Sequence, residues 1–414
     1  MVYNIPEPDD APPLGDLGFF QHRTLPVLRK FQPSSLWDVS APRLLLSTSS
    51  FRSVAKALAH QQRLAESPNT TQMEGVDRAY VDAISLVRKS IDAYSGEERT
   101  TLAFECLLLV ILESLRGSKS EMIVHLHHGI RIVFESSKES LKSGNMKEIG
   151  RCLRQYGVST MLLNPFLPPA RQTQHVMWRT ASLDDDTPGD STTDDLRKVS
   201  NDVYRLILET LAIMYHVSLN EGHLGLVFCE EVARVRAKQA RLEEIFHQRR
   251  QTCTGEDVQA RALWDLTEAR CLLAKAHLNY VWACDVEAFH AEIETFRAVI
   301  DLVDSALSRI EESESDISTL TFSVGLGAIS ALELVAWRCP DVNLRNEAVD
   351  LLERCPRQEG LWNADERSKL WRSMIANEGT NYTDHMWNYE LPTEGIESVL
   401  TPGTPLKQQS QLQR

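Results

Sequence analysis

Three histidines, His125, His127 and His128, form the densest group of potential metal ligands in this sequence. His125 and His128 are three residues apart, so in a helix both side chains lie near one face and could share a metal ion. A zinc site needs further ligands, however, and the metalloprotease motif HExxH is absent. We therefore interpret these histidines as packing or solvent-facing residues and predict no metal site.

Two pairs of adjacent glutamates, Glu230–Glu231 and Glu243–Glu244, could supply an acid and a base. A catalytic carboxylate pair needs burial that separates its two pKa values, and nothing in this pattern implies burial. The pairs alternate with basic residues, which is typical of ion pairs on a solvated helix face. Those basic residues, together with Arg249 and Arg250, could alternatively form a nuclear-localisation or phosphate-binding patch that the glutamates dilute: Arg234, Arg236, Lys238 and Arg241.

The eight cysteines do not form a metal-binding motif. The closest two, Cys271 and Cys284, are 13 residues apart, so the chain contains no C-x-x-C knuckle of the kind found in zinc sites. Cys106, Cys229 and Cys271 lie in apolar helical contexts, where a free cysteine behaves as a small hydrophobic residue. We expect reduced structural thiols in a reducing compartment.

Nucleotide-binding and hydrolase motifs are also absent: GxGxxG, GxxxxGK[ST] and GxSxG do not occur. The pair Gly325 and Gly327 falls within a predicted helix, where it would permit close helix packing. We therefore predict no catalytic residue, no cofactor-binding residue, no cofactor and no enzymatic activity.

The composition indicates a soluble globular protein. Its 414 residues are 43% hydrophobic and 25% charged, and the formal net charge is −14. No apolar run approaches the roughly 18 residues that span a bilayer, and the acidic, proline-rich N-terminus resembles neither a secretory signal nor a transit peptide. These features leave the cytosol or the nucleus as the location. Because DNA affinity depends on cations that neutralise phosphates, this charge disfavours direct DNA binding.

The element most clearly predicted is an αα-hairpin over residues 98–138. The run from Cys106 to Leu112 is apolar on all sides, as in a helix enclosed by neighbours. Gly117 is a stop signal, and Ser118 with Glu121 has the pattern of a capping box that starts the second helix. Apolar residues then recur on one face of that helix: Met122, Leu126, Ile130 and Val133.

The remaining pattern predicts an all-α, multi-helical protein with two lobes and disordered ends. The predicted organisation is an N-terminal disordered segment, an N-terminal lobe that contains the hairpin, an acidic linker with six aspartates, a C-terminal lobe and a tail: 1–16, 17–180, 181–195, 196–378 and 379–414. In the C-terminal lobe we predict helices over residues 195–218, 222–249, 256–281, 285–311 and 318–338.

Two further segments flank this arrangement. The first, GFFQHRTLPVLRKF…LW followed by an ALAH helix, predicts a short helix with Phe20, Thr24, Leu28 and Phe31 and a second beginning near Ser49. The second, RCPDVNLRNEAVDLLERCPRQEGLW, spans residues 338–362. There we predict a helix capped by Asp341 or Asn343, and a turn in which Gly360 takes a positive φ so that Trp362 folds back onto preceding helices.

Together with ERTTL…CLL…ESLRG…HLHHGIRI in the hairpin, these segments resemble the fungal-specific transcription factor domain, the helical domain that follows a six-cysteine binuclear zinc cluster in many regulators of secondary metabolism. The resemblance implies a regulatory domain that binds a small-molecule effector or protein partners and is able to form a homodimer. It also implies a nuclear location, shared in part with the cytoplasm. The six clustered cysteines of the DNA-contacting module do not occur in this sequence. We therefore expect DNA contact only indirectly, or through a zinc cluster missing upstream.

Three alternatives to a complete zinc-cluster regulator remain. The chain could be the regulatory half of a protein with an upstream exon, a stand-alone regulator that works through a partner, or a helical scaffold with no role in transcription. A fourth alternative, an α-helical enzyme of a biosynthetic gene cluster, requires a polar pocket that the sequence does not reveal.

Overall fold

A computed structural model describes most of the chain. The described residues are 15–31, 34–66, 70–91, 98–136, 144–163, 192–219, 226–252, 257–283, 286–313, 322–323, 327–356, 358–360 and 362–377. Within these ranges the predicted all-α class is confirmed, because helices form nearly all the regular structure and the strands are two residues long. The predicted tail and residues 1–14 of the N-terminal segment lie outside the described residues.

The N-terminal half contains eight α-helices within the described ranges. Two π-helical turns, Phe20–Thr24 and Leu36–Ser40, connect the first three of them. The helices are α1 (Asp16–Phe19), α2 (Leu25–Phe31), α3 (Ala41–Ser47), α4 (Ser49–Glu66), α5 (Thr70–Ile91), α6 (Glu98–Arg116), α7 (Lys119–Glu135) and α8 (Gly144–Leu163).

The C-terminal half combines helices with one small sheet. Strands β1 (Phe322–Ser323) and β2 (Gln358–Glu359) pair in parallel, and β2 pairs antiparallel with β3 (Trp362–Asn363). A 3₁₀ turn, Val286–Glu292, precedes the fourth helix of this half. The helices are α9 (Thr192–Leu219), α10 (Leu226–Thr252), α11 (Val258–Ala283), α12 (Ile293–Ser313), α13 (Ala328–Arg338), α14 (Val342–Leu352) and α15 (Ala364–Asn377).

The predicted hairpin is confirmed as α6 and α7. Gly117 has φ 72°, and the N–H of Ser118 donates to the carbonyl of Glu113 while that of Gly117 donates to Ser114, which is a Schellman ending. The capping box is wrong in detail, because the Ser118 hydroxyl donates to the Glu121 carboxylate and caps no backbone N–H. The predicted inward stripe is buried, with side chains at most 4% exposed: Met122, Leu126, Ile130 and Val133.

The buried apolar residues form two clusters. One runs from Phe19 to Leu278, and the other from Ala262 to Trp371. Both clusters draw residues from α11, so this helix lies between them. The predicted division at 181–195 stays a prediction; residues 181–191 lie outside the described residues, and α9 begins at Thr192.

The predicted helix over 318–338 is wrong in its first half. The described residues there form β1, and α13 begins only at Ala328. Gly327 is the N-cap of α13 with φ 77°, and it therefore does not lie inside a helix as predicted. A left-handed residue ends helical hydrogen bonding on its N-terminal side, which is why the helix is shorter than its apolar pattern.

Three predictions for the closing segment are confirmed. Gly360 has φ 55°, and Trp362 is only 2% exposed against the helices before it. Asp341 caps α14, because its carboxylate accepts the N–H groups of Asn343 and Leu344 at 2.7 and 3.2 Å.

A close contact between α7 and α8 makes Gly129 a test of this packing. A Cβ on Gly129 would lie 2.9 Å from Leu153 Cδ1 and 3.1 Å from Cys106 Cβ. We expect Gly129→Ala to lower the free energy of unfolding by about 1–2 kcal/mol, since overpacking outweighs the gain in helix propensity. Gly75→Ala in α5, where a Cβ meets nothing within 4 Å, should instead raise it by about 0.5–1 kcal/mol. Urea unfolding measures the free energy of unfolding of both variants. If both substitutions changed it in the same direction, the close contact at Gly129 would be contradicted.

No helix in the described ranges is both long and apolar enough to cross a membrane.

Candidate functional site

A buried arginine lies where α9, α11 and α13 meet. Arg270 of α11 is 5% exposed, and its Nε donates to the Leu266 carbonyl at 3.1 Å. One terminal nitrogen donates to the Tyr204 hydroxyl of α9, and the other donates to Thr267 Oγ1 at 3.1 Å. Burial raises the pKa of Tyr204, so its hydroxyl keeps its proton while it accepts from Arg270. These contacts fix the guanidinium between the two helices.

Glu359 holds the N-terminus of α13 beside this arginine. Its carboxylate accepts the N–H of Gly327 at 2.5 Å and that of Ile329 at 3.1 Å. Burial raises the pKa of Glu359, while these N–H groups and Arg270 act to lower it. The Arg270 side chain packs directly on Gly327, because a Cβ there would lie 2.7 Å from a guanidinium nitrogen. Glu359, Gly327 and Arg270 therefore form one buried polar unit, which we call the latch.

A recess opens next to the latch. Its volume is about 380 Å³ when the open solvent at its mouth is included, but the space that admits the centre of a water-sized sphere is only about 30 Å³. Its walls come from both apolar clusters, because Ile207 and Leu211 belong to the first and Leu273 and Leu334 to the second. Four polar side chains also line it: Thr210, Arg270, His277 and Ser330.

The polar lining has a defined protonation pattern. His277 Nδ1 lies 2.8 Å from the Leu273 carbonyl, which can only accept, so Nδ1 carries the proton and Nε2 is an acceptor. Burial, with the charge of Arg338, lowers the pKa of His277 to about 4, so the ring is neutral. Thr210 and Ser330 donate their hydroxyls to the carbonyls of Leu206 and Gly327, which leaves oxygen lone pairs as acceptors.

His277 makes a testable contribution to stability against pH. An unfolded histidine has a pKa near 6.5, so between about pH 6.5 and 4 the unfolded chain takes up a proton that folded His277 does not. Stability should therefore decrease as the pH is lowered from about 6.5 to 4, by on the order of 3 kcal/mol, and His277 should cause no change with pH above this window. His277→Asn, which keeps a donor for Leu273, should reduce the slope of unfolding free energy against pH. Parallel curves for the two proteins would contradict this assignment.

The three segments that carry the family resemblance converge near the latch. Trp37 of the entry segment packs edge-on against Phe104 of the hairpin, with ring centroids 5.4 Å apart. Helix α2 contacts β1, and α6 contacts β2, the strand that contains Glu359. Gly360 lies against Tyr156 of α8, where a Cβ would be 3.5 Å from the ring. Residues more than 300 positions apart in the sequence thus form one junction.

The histidine group of α7 has a different environment. His125 is half-buried, and its Nε2 lies 3.9 Å from Glu113 Oε1. Burial lowers the pKa of His125 to about 4, and it also lowers the pKa of His127 and His128. Within the described ranges, no three His, Cys, Asp or Glu residues are grouped so as to hold a metal. The expectation of no metal site stays a prediction.

The paired glutamates of α10 differ in their contacts, because Glu231 and Glu244 bond within α10 whereas Glu243 bonds a neighbouring helix. Glu231 bonds Arg234 within α10, but Lys238 contacts Glu209 of α9 at 2.6 Å and Glu243 contacts Lys275 of α11 at 2.9 Å. Glu230 and Glu244 are exposed. These side chains fasten α10 to both neighbours, and they do not form a buried acid–base pair.

The cysteines that the structure describes are free thiols. Cys106, Cys152, Cys271, Cys339 and Cys355 are buried, and Cys229 is half-buried. Burial raises the pKa of Cys106 and of Cys271 to about 12, so both stay protonated and unreactive. Cys253 and Cys284 lie outside the described residues.

Sequence reasoning missed the residues of the latch and the recess. In α11, Arg270 follows Glu268 and His277 follows Lys275 at a spacing of two residues, so the sequence does not distinguish these buried side chains from charged residues on a solvated helix face. Glu359 lies inside the closing segment, but its spacing from Arg270 carries no information because the two meet only in the fold. No protein-family model, curated protein or solved structure matches the chain.

Proposed function

We propose that the chain is the regulatory domain of a transcription regulator of the fungal zinc-cluster type, controlled by an effector or protein partner and without catalytic activity. One observation carries the proposal: the three segments that resemble this family, which are far apart in the sequence, pack together at one junction. Independent chance similarities would have no reason to share a contact surface.

The contacts at that junction support the proposal in detail. Trp37 and Phe51 both pack edge-on against Phe104, with centroids 5.4 and 5.0 Å apart, so the entry segment is anchored on the hairpin. Ser50 donates to the buried Glu105 carboxylate at 2.6 Å. The closing segment adds β2, β3 and the buried Trp362. The entry segment therefore contacts the hairpin through Trp37, which is one of the residues quoted for the resemblance, and through neighbours of the quoted residues.

The position of the recess suggests how regulation would operate. It lies between two apolar clusters whose common wall is α11, so a molecule bound there contacts both clusters at once. Binding to one arrangement of the clusters more tightly than to another shifts the population of the two. The output would be a changed surface for a protein partner.

The overall negative charge supports a regulator in which a different module contacts DNA. A net charge of −14 repels phosphates on balance, and three basic residues of α10 pair with glutamates of α9, α10 and α11: Arg234, Lys238 and Arg250. The proposed location of the working protein is the nucleus.

A tethering experiment tests the proposed function. The full chain is fused to a sequence-specific DNA-binding domain, and transcription of a reporter with the matching site is measured in a fungal cell. We expect transcription to change relative to the DNA-binding domain alone and to a fusion with an unrelated helical protein of similar size and charge. A folded, nuclear fusion with no effect on the reporter would overturn the proposal and favour a scaffold outside transcription.

A further inference from the structure

We infer that the recess between α9, α11 and α13 binds a small carboxylic acid with an apolar body and a hydroxyl group. Arg270 supplies the positive charge in the lining of the recess. A guanidinium has five N–H donors, and three of them are engaged with Leu266, Tyr204 and Thr267. No Asp or Glu oxygen of the described residues lies within 4 Å of it. A buried cation that lines a recess with two donors left is suited to a carboxylate.

The other polar side chains that line the recess present hydrogen-bond acceptors. Thr210 and Ser330 donate their hydroxyl protons to backbone carbonyls, and His277 donates its Nδ1 proton in the same way. Each therefore presents a lone pair to any molecule in the recess. A ligand hydroxyl can donate its one proton to one of these atoms, whereas a second carboxylate would be repelled by them.

Among the described residues, Arg270 is the one charged side chain of the recess, and the remaining lining is mostly apolar. No other lysine or arginine of these residues lines the recess, His277 is neutral, and Glu359 is not part of the lining. One positive charge suits a monoanion better than a phosphate dianion. The remaining walls are apolar side chains, which fit a hydrocarbon or aromatic body: Ile207, Leu211, Met214 and Leu334.

The free space in the recess is small. The 30 Å³ that is open to the centre of a water molecule has room for about two waters, so a larger ligand must displace a wall. Met214 is half-buried, and its flexible thioether side chain can take other rotamers at low cost. Ligand entry would therefore move Met214 and press α9 away from α13. Its effect on transcription rests on the proposed function, but the binding site itself does not.

Calorimetric titration of the full chain tests the site with three probes: 4-hydroxyphenylacetate, phenylacetate and methyl 4-hydroxyphenylacetate. We expect saturable binding of the hydroxy acid, with the methyl ester about tenfold weaker because it loses the charge-assisted bonds to Arg270. Phenylacetate should lie between them. Arg270→Lys, which keeps the charge and loses the planar fork of donors, should weaken the hydroxy acid by about tenfold.

A second variant keeps the test decisive if Arg270→Lys does not fold. Met214→Trp fills the recess from a half-buried position, and it should abolish binding while the helical circular dichroism spectrum and cooperative unfolding are kept, with Tm lowered by a few degrees at most because of the overpacking. Equal affinity for acid and ester, no saturable binding at millimolar concentration, or full binding by Met214→Trp would overturn the inference. A tethered fusion that changes transcription without binding these acids would overturn the site alone. Binding without any reporter response would overturn the proposed function alone.

Discussion

Replacement of Glu359 by alanine should lower the free energy of unfolding by about 2–6 kcal/mol, because it leaves two buried N–H groups without their acceptor, at about 1–3 kcal/mol each. The N–H groups of Gly327 and Ile329 would lose their acceptor, and Arg270 would keep its charge without the neighbouring carboxylate. With a typical total stability of 5–15 kcal/mol, a loss of this size is readily visible in urea unfolding.

Glu359→Gln is the matched control, because it keeps the side-chain shape and one acceptor oxygen for the N-terminus of α13. We expect a cost of about 1–2 kcal/mol, clearly below that of alanine. In a background of Arg270→Met, Glu359→Ala should lower the free energy of unfolding by less, because no buried guanidinium then loses its neighbouring carboxylate. A cost below about 1 kcal/mol for Glu359→Ala would show that the latch does not stabilise the fold.

Replacement of Gly327 by alanine should have the second large effect, a loss of about 2–5 kcal/mol. The left-handed backbone at φ 77° costs a residue with a Cβ about 1–2 kcal/mol. The new Cβ would also lie 2.7 Å from a guanidinium nitrogen of Arg270 and 3.0 Å from its Cδ. Arg270 is held by three hydrogen bonds and cannot move aside freely, so the overpacking adds about 1–3 kcal/mol.

Gly117→Ala separates the two contributions. Gly117 has a similar φ of 72°, but a Cβ there would meet nothing within 4 Å. We expect this variant to lose only the backbone contribution of about 1–2 kcal/mol. If both variants were destabilised equally in urea, Arg270 would not pack on Gly327 as tightly as the structure shows.

Both experiments bear on the recess as well as on stability. Ser330 lies in the first turn of α13, and its hydroxyl donates to the carbonyl of Gly327, the residue that Glu359 holds. A ligand that contacts Ser330 and Arg270 therefore touches the same unit that positions the helix. Loosening the latch by Glu359→Gln should also weaken binding in the recess, because the donors and acceptors would be less well ordered.

The sequence by itself determined the class of the fold and many local features. Apolar residues at helical spacing identified α6 and α7, and the glycines at 117 and 360 marked two of the left-handed positions. Asp341 was identified as a cap from its place before an apolar stripe. These features depend on interactions within a few residues along the chain, so their signals lie in adjacent sequence.

The tertiary structure alone decided what surrounds the buried polar residues. Glu359, Gly327 and Arg270 belong to a strand, a helix N-terminus and the interior of another helix, and only chain folding brings them together. The helix predicted over 318–338 was too long for the same reason: the first turn of α13 is fixed by a carboxylate 32 residues further along the chain. Hydrophobic periodicity reports which face of a helix is buried. It does not report which distant side chain that face meets, because burial depends on apolar area whereas polar pairing depends on position in space.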